Sequence, residues 1–145
     1  MSEVSHQTIV SIGSNIEPRK NFALSQKILE EEVVFHGSAT IIETKPDGYQ
    51  DQPDFLNGAY LLETTMSYNA FNDYLKKLEK RMGRVKGPIK SGPRCIDIDI
   101  IVWNGEIVHD DYHNQKHYVV IPVNEIIRQH EIQVKFDLVG GRIVD

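Results

Sequence analysis

Residues 57–103 read NGAYLLETTMSYNAFNDYLKKLEKRMGRVKGPIKSGPRCIDIDIIVW, and the fold turns on how this stretch divides. Asn57 to Thr64 is predicted as a strand. Ser67 can cap a helix, and Phe71, Tyr74, Leu75, Leu78 and Met82 follow at i, i+3, i+4, i+7 and i+11, which makes one apolar stripe. Gly83 stands at the C′ position, where a left-handed residue ends a helix. Gly87, Pro88, Gly92 and Pro93 make Arg84 to Pro93 a loop. Cys95 to Trp103 then reads as another strand. Side chains alternate across a strand, so Ile96, Ile98 and Ile100 share a core face while Asp97 and Asp99 share the other.

Working outward, Gln7 to Ile12 alternates polar and apolar residues and runs into Gly13-Ser14-Asn15, a strand entering a turn. Arg19 to Glu32 places Phe22, Ser25, Ile28 and Leu29 on one helical face. Val33 to Thr44 is rich in β-branched residues and predicts a strand, and Lys45 to Asp54, with Pro46, Gly48 and Pro53, a loop. The order β-α-β-β-α-β is the ferredoxin-like arrangement of the α+β class, an antiparallel sheet with both helices on one face. Extra strands are expected beyond it. Asn104-Gly105 is a strong hairpin turn leading to Glu106–Val108. Tyr118 to Ile121 reads as a strand, Pro122 to Gln129 as a short helix, and Glu131 to Val144 as a hairpin around Gly140-Gly141. No repeat or linker interrupts the chain, so a single domain over residues 1–145 is expected.

The composition, with 40% hydrophobic and 26% charged residues, is that of a globular protein. Cys95 is the only cysteine, which excludes an intrachain disulfide and suits a reducing compartment. No apolar run approaches the ~18 residues of a membrane span, and the first residues lack a secretory pattern. A soluble, cytoplasmic protein without a membrane partner is the expectation. The net charge of −5 argues against a general nucleic-acid binder. From Lys76 to Arg94 the chain nevertheless carries +7, against −12 elsewhere. Such a block suits a compact anionic ligand. It equally describes a solvated helix face followed by a basic loop.

Asp97 and Asp99 lie ~6.6 Å apart along a strand at ~3.3 Å per residue. Carboxylates so placed can both reach metal ions held ~3.5–4 Å apart. Hard oxygen donors suit magnesium, which keeps substrate phosphates in its shell. The same pair also fits the polar face of an amphipathic strand. Arg94 presents a planar fork for phosphate three residues before Asp97, and the loop adds Arg84, Lys86 and Lys90. Phosphoryl transfer depends chiefly on positioning and charge stabilisation, for which these are suitable parts. Neither a P-loop nor a dinucleotide fingerprint occurs. In Gln50–Asn57, Phe55 can stack on a flat ring and Asn57 can read a heterocycle edge. The alternative is Phe55 in the core and Asn57 starting a strand. His109, His113 and His117 recur at i+4, as a zinc site on a helix would, but the segment reads more readily as a polar surface loop.

The motifs Ile12-Gly-Ser-Asn15, Gln50-Asp-Gln-Pro-Asp-Phe-Leu-Asn57, Leu78-Glu79, Gly83-Arg-Val85 and Gly92-Pro-Arg-Cys-Ile-Asp-Ile-Asp-Ile100 together resemble the 6-hydroxymethyl-7,8-dihydropterin pyrophosphokinase family of folate biosynthesis. The last follows the family signature G-P-R-x-x-D-x-D-[IL]. The resemblance implies a ferredoxin-like fold and transfer of pyrophosphate from ATP to the pterin hydroxymethyl group, with release of AMP. It implies two magnesium ions on Asp97 and Asp99, with ATP as co-substrate. Thr44 and Asn57 correspond to pterin-edge contacts, and Phe55 and Tyr118 to the rings that sandwich the pterin. Lys76, Glu79, Arg94 and Lys116 fall where the family contacts ATP, and Arg84 and Lys86 where loop arginines meet the triphosphate. Arg84, Arg94, Asp97 and Asp99 are the expected catalytic set. The partners implied are small molecules, with no nucleic acid and no protein partner.

The chain departs from the family pattern where Ser91 replaces a tryptophan, Lys86 replaces an arginine, and Tyr112–Lys116 is shorter by several residues. These departures concentrate on the nucleotide side. They favour an alternative in which a degenerate relative binds pterin or nucleotide without efficient turnover, whereas Asp97, Asp99, Arg84 and Arg94 favour the enzyme. A ferredoxin-like RNA-binding module fits less well, because two aspartates on the strand would repel phosphate.

Overall fold

The computed structural model describes residues 4–84 and 92–135 and the backbone of 138–139 and 142–143. The elements are β1 (His6–Ser14), α1 (Pro18–Glu32), β2 (Val34–Ser38), β3 (Ile42–Thr44), β4 (Phe55–Thr64), α2 (Tyr68–Arg81), β5 (Asp97–Trp103), β6 (Glu106–Ile107), α3 (Asp110–His113), α4 (His117–Gln129), β7 (Leu138–Val139) and β8 (Arg142–Ile143). An antiparallel sheet runs β2-β4-β1-β5-β6, with β3 also on β4, and β7 pairs with β8. The β-α-β-β-α-β order is therefore the ferredoxin-like α+β fold.

Both faces of the sheet are covered, which is why β1 and β4 are buried along nearly their whole length. On one face Val10, Ile12, Tyr60, Leu62, Ile98 and Ile100 meet Phe22 and Leu29 of α1 and Phe71, Leu75 and Leu78 of α2. Ser67 caps α2 by accepting from the Ala70 amide, and Gly83, at φ +97°, ends it as the sequence indicates. On the other face Ile9, Ala59, Leu61 and Ile101 meet Val119, Val123 and Ile126 of α4.

Three segments differ from the sequence expectation, of which the shortest is Asp110–His113, expected in a polar surface loop and found as the one-turn helix α3. Tyr118–Ile121 is not a strand: it forms the first turns of α4, continuous with the helix expected from Pro122. The β-branched run suggests a strand, but Val119, Pro122, Val123 and Ile126 form a stripe at helical spacing. Burial of that stripe on the sheet outweighs both local propensity and the lost amide of Pro122. The Val33–Thr44 strand is divided in two. β2 and β3 both pair with β4, and β2 bulges between Phe35 and Gly37. Gly37 lies against α4's C-terminal cap, where a Cβ would come within 2.8 Å of His130 Nε2.

A polar clasp ties α1 to α2. Glu32 accepts from two Arg81 guanidinium nitrogens (2.9 and 2.7 Å) and from the Tyr74 hydroxyl (2.6 Å). Arg81, then Tyr74, hold the Glu32 carboxyl down at about 2 against its ordinary 4.5. A carboxyl held low in the fold stabilises fully above its unfolded value and loses that contribution as pH falls through its folded value. Glu32→Gln should therefore cost stability above pH 4.5, with the difference from the parent closing as pH falls toward 2. The clasp is partly exposed, so the effect should be small. Urea midpoints across that window test it; a difference independent of pH would refute it.

Candidate active site

The antiparallel register brings the site together. Gly13 in β1 lies between Asn57 of β4 and Asp97 of β5, and Ser11 lies between Ala59 and Asp99. All six share the sheet face that α4 covers farther along. Here that face opens into a cavity of about 410 Å³. A Cβ on Gly13 would come within 3.2 Å of Asn57 Oδ1 and 4.0 Å of the Phe55 ring, so glycine keeps the floor clear.

Part of the cavity wall is aromatic. Phe55 enters from β4 and Tyr118 from the first turn of α4. Beneath them Asn57 Nδ2 donates to Thr44 Oγ1, with both residues buried. Another part is ionic and carries Arg84, Arg94, Asp97 and Asp99. Arg84 lies 2.8 Å from Asp97 Oδ1, and Arg94 3.5 Å from Asp97 Oδ2. Lys76 lies 3.0 Å from Asp99 Oδ1. Arg94 also stands over the Phe55 ring, 5.9 Å from its centroid, and so joins the two parts.

The ionic wall is supported from behind by α2. β6 pairs with β5 at Val102 and Trp103, and side chains of α2 take the edge groups nearer the start of β5. Glu79 Oε2 accepts from the Ile98 amide at 2.7 Å, Lys76 donates to the Ile98 carbonyl at 2.8 Å, and Glu79 also pairs with Lys76 (3.0 Å) and Arg84 (2.8 Å). Glu79 is only 4% exposed. Burial, the largest influence, holds its carboxyl above the ordinary value even though the Ile98 amide, Lys76 and Arg84 pull it down. Burial acts to lower the Lys76 pKa, but Asp99 and Glu79 outweigh it and raise the ammonium above its usual value.

Of the residues singled out by sequence, Thr44, Phe55, Asn57, Arg84, Arg94, Asp97, Asp99 and Tyr118 line one cavity. Lys76 and Glu79 stand behind its wall. Lys116 pairs with Asp47, itself a wall residue. Lys86 lies outside the described residues. Asp97 and Asp99, each about a quarter exposed (25% and 26%), are the hard-oxygen pair that could hold a divalent cation together with ligands from a substrate. Among the described residues no group of three or more His, Cys, Asp or Glu is placed to hold a metal. Two of the three histidines in the series have other contacts, and His113 lies in α3. His109 caps α3 by accepting from the Asp111 amide, and His117 begins α4, with its ring edge-on to Tyr118.

Three contributors were not assigned a role from sequence: Asn15, Asp47 and Asp111. Asn15 follows directly on β1, which runs through Gly13 and Ser14 where the sequence suggests a turn, and is 4% exposed. Its Oδ1 accepts from the Arg94 amide at 2.8 Å, and its Nδ2 donates to Gln52 Oε1 and the Pro53 carbonyl, both at 2.9 Å. One side chain thus holds the segment carrying Arg94 and the loop before Phe55. Its partners lie 37 to 79 residues away, which no local pattern reveals. Asn15→Ala should cost about 2 kcal/mol, because buried groups lose their partners. A denaturant midpoint unchanged from the parent would refute this role.

Fold and cavity together define a ferredoxin-like α+β fold with a cavity lined by two aromatic rings and by a mixed set of carboxylates and cations. The model of the 7,8-dihydro-6-hydroxymethylpterin-pyrophosphokinase family matches residues 9–128, and the chain belongs to this family. It is 30% identical over 128 residues to the 2-amino-4-hydroxy-6-hydroxymethyldihydropteridine pyrophosphokinase of Haemophilus influenzae, covering 81% of this chain and 79% of that one. It is 29% identical over 132 residues to the protein of the same name from Bacillus subtilis, covering 84% and 78%. Against the folic acid synthesis protein FOL1 of Dictyostelium discoideum the identity is 31% over 125 residues, covering 81% of this chain but only 19% of that longer protein.

Proposed function

We propose that this protein transfers the pyrophosphoryl unit of ATP to the hydroxymethyl oxygen of 6-hydroxymethyl-7,8-dihydropterin and releases AMP, with magnesium held at Asp97 and Asp99. The observation that carries the reading is the presence of these two carboxylates, Arg84 and Arg94 in one cavity with Phe55 and Tyr118.

The pterin is flat, and the slot between the Phe55 and Tyr118 rings suits its faces. Asn57 and Thr44 below offer an amide and a hydroxyl to the heterocycle edge. Arg94, in contact with both the Phe55 ring and Asp97, would then lie between the pterin and the phosphates. The hydroxymethyl oxygen attacks the β-phosphorus, and the bond from the β-phosphorus to the oxygen bridging it to the α-phosphorus breaks. AMP leaves with the bridging oxygen and its electron pair, and the hydroxyl proton passes to solvent. No side-chain base is required where positioning supplies the rate.

The ionic cluster is balanced as it stands, with Lys76, Arg84 and Arg94 against Glu79, Asp97 and Asp99. Magnesium, when bound, neutralises phosphate charge and aligns the triphosphate. Asp97 and Asp99 would hold the ion, which would leave Arg84 and Arg94 to meet the phosphates. Planar forks suit that role better than point charges would.

Incubation with Mg-ATP and the pterin alcohol tests the reading. One AMP per pyrophosphorylated pterin is expected, and omission of the divalent ion should abolish it. Tight pterin binding without AMP would instead make the protein a binder that has lost turnover.

A further inference from the structure

Asp47 lies in the loop between β3 and β4, exposed to solvent yet on the cavity wall. A single oxygen, Oδ2, receives two groups from the start of α4: the Lys116 ammonium at 3.0 Å and the Tyr118 hydroxyl at 3.1 Å. The carboxyl is held below its ordinary value by Lys116 first and Tyr118 second, so it is ionised at neutral pH. Elsewhere in the loop Gln50 donates to the carbonyls of Pro46 and Gly48 and Gln52 to that of Tyr49, while Asn15 holds Gln52 and Pro53. Asp47 connects the loop to α4 at the mouth of the slot.

We infer that Asp47 is a positioning residue acting on the two substrates in opposite senses: it holds the Tyr118 ring in place for the pterin and keeps the Lys116 charge away from the triphosphate. This rests on the reading under Proposed function. Both effects follow from the shared oxygen. A tyrosine ring anchored through its hydroxyl loses less freedom when a flat ligand slides beneath it. A lysine already paired with a carboxylate must leave it before meeting a phosphate, so occupancy by ATP is linked to release of the clasp.

The test is calorimetric binding of the pterin alcohol and of Mg-ATP, each measured separately on the parent, Asp47→Ala and Asp47→Asn. The clasp is largely exposed, so the shifts should be about 3- to 5-fold, the scale of an exposed ion pair. Asp47→Ala should weaken the pterin and tighten Mg-ATP. Asp47→Asn, which keeps an acceptor for Tyr118 but no charge, should tighten Mg-ATP and leave the pterin near the parent. Asp54→Asn removes an exposed charge from the same loop and should leave both constants within about 2-fold. Any pattern in Asp47→Ala other than opposite shifts overturns the inference, as does an Asp54→Asn effect on Mg-ATP equal to that of Asp47→Asn. A parent that binds neither ligand would overturn the functional reading and this inference together. A parent that binds and turns over both, without the split, overturns the inference alone.

Discussion

Asp97→Ala should lower turnover by about 1,000-fold or more while leaving the fold intact. A bound divalent ion supplies several kcal/mol of transition-state stabilisation, and each 1.4 kcal/mol is tenfold in rate. Asp97 also sits between Arg84 and Arg94, so its loss disturbs the two cations that meet the phosphates. Structurally the cost is modest. The side chain is partly exposed, and Arg84 keeps Glu79 as a partner at 2.8 Å. Steady-state rates beside thermal melting curves separate the two effects. A variant with near-parental activity would remove Asp97 from the metal site, and one that fails to fold would mean that the strand depends on this carboxylate.

Glu79→Leu should do the reverse of Asp97→Ala at first sight, destabilising the protein by about 3–5 kcal/mol, the usual cost of breaking a buried ion pair from one side. The buried Ile98 amide loses its acceptor, and Lys76 and Arg84 lose the anion between them. The raised pKa of Glu79 says that burial outweighs its partners. A buried ionic cluster is in general no large net source of stability compared with an apolar replacement of the whole, but removing one member strands the rest. Urea unfolding gives the number, and a loss under about 1 kcal/mol would show that water or a neighbour replaces it. Activity should fall too, because Arg84 and Lys76 are aimed by this residue.

The α2 stripe, its Ser67 cap and Gly83 stop, and the paired aspartates of β5 were legible because each rests on a periodicity of a few residues. The β-α-β-β-α-β order follows from them, and with it the juxtaposition of β1, β4 and β5 that forms the floor of the cavity. Tyr118–Ile121 is helical where its β-branched residues speak locally for a strand, because the sheet face it packs on lies in β1, β4 and β5. The burial of Glu79 was hidden for a related reason. A glutamate on a basic helix looks solvent-facing until the uncovered edge of β5 is seen to need an acceptor. Asn15 and Asp47 act through partners far away in sequence, on loops whose composition indicates only that they turn.

The most direct test is a crystal structure with magnesium and a non-hydrolysable ATP analogue. The prediction is divalent ions bound by Asp97 and Asp99, with the triphosphate lying against Arg84 and Arg94. A triphosphate bound elsewhere, or density showing both carboxylates still paired only with Lys76, Arg84 and Arg94, would contradict it.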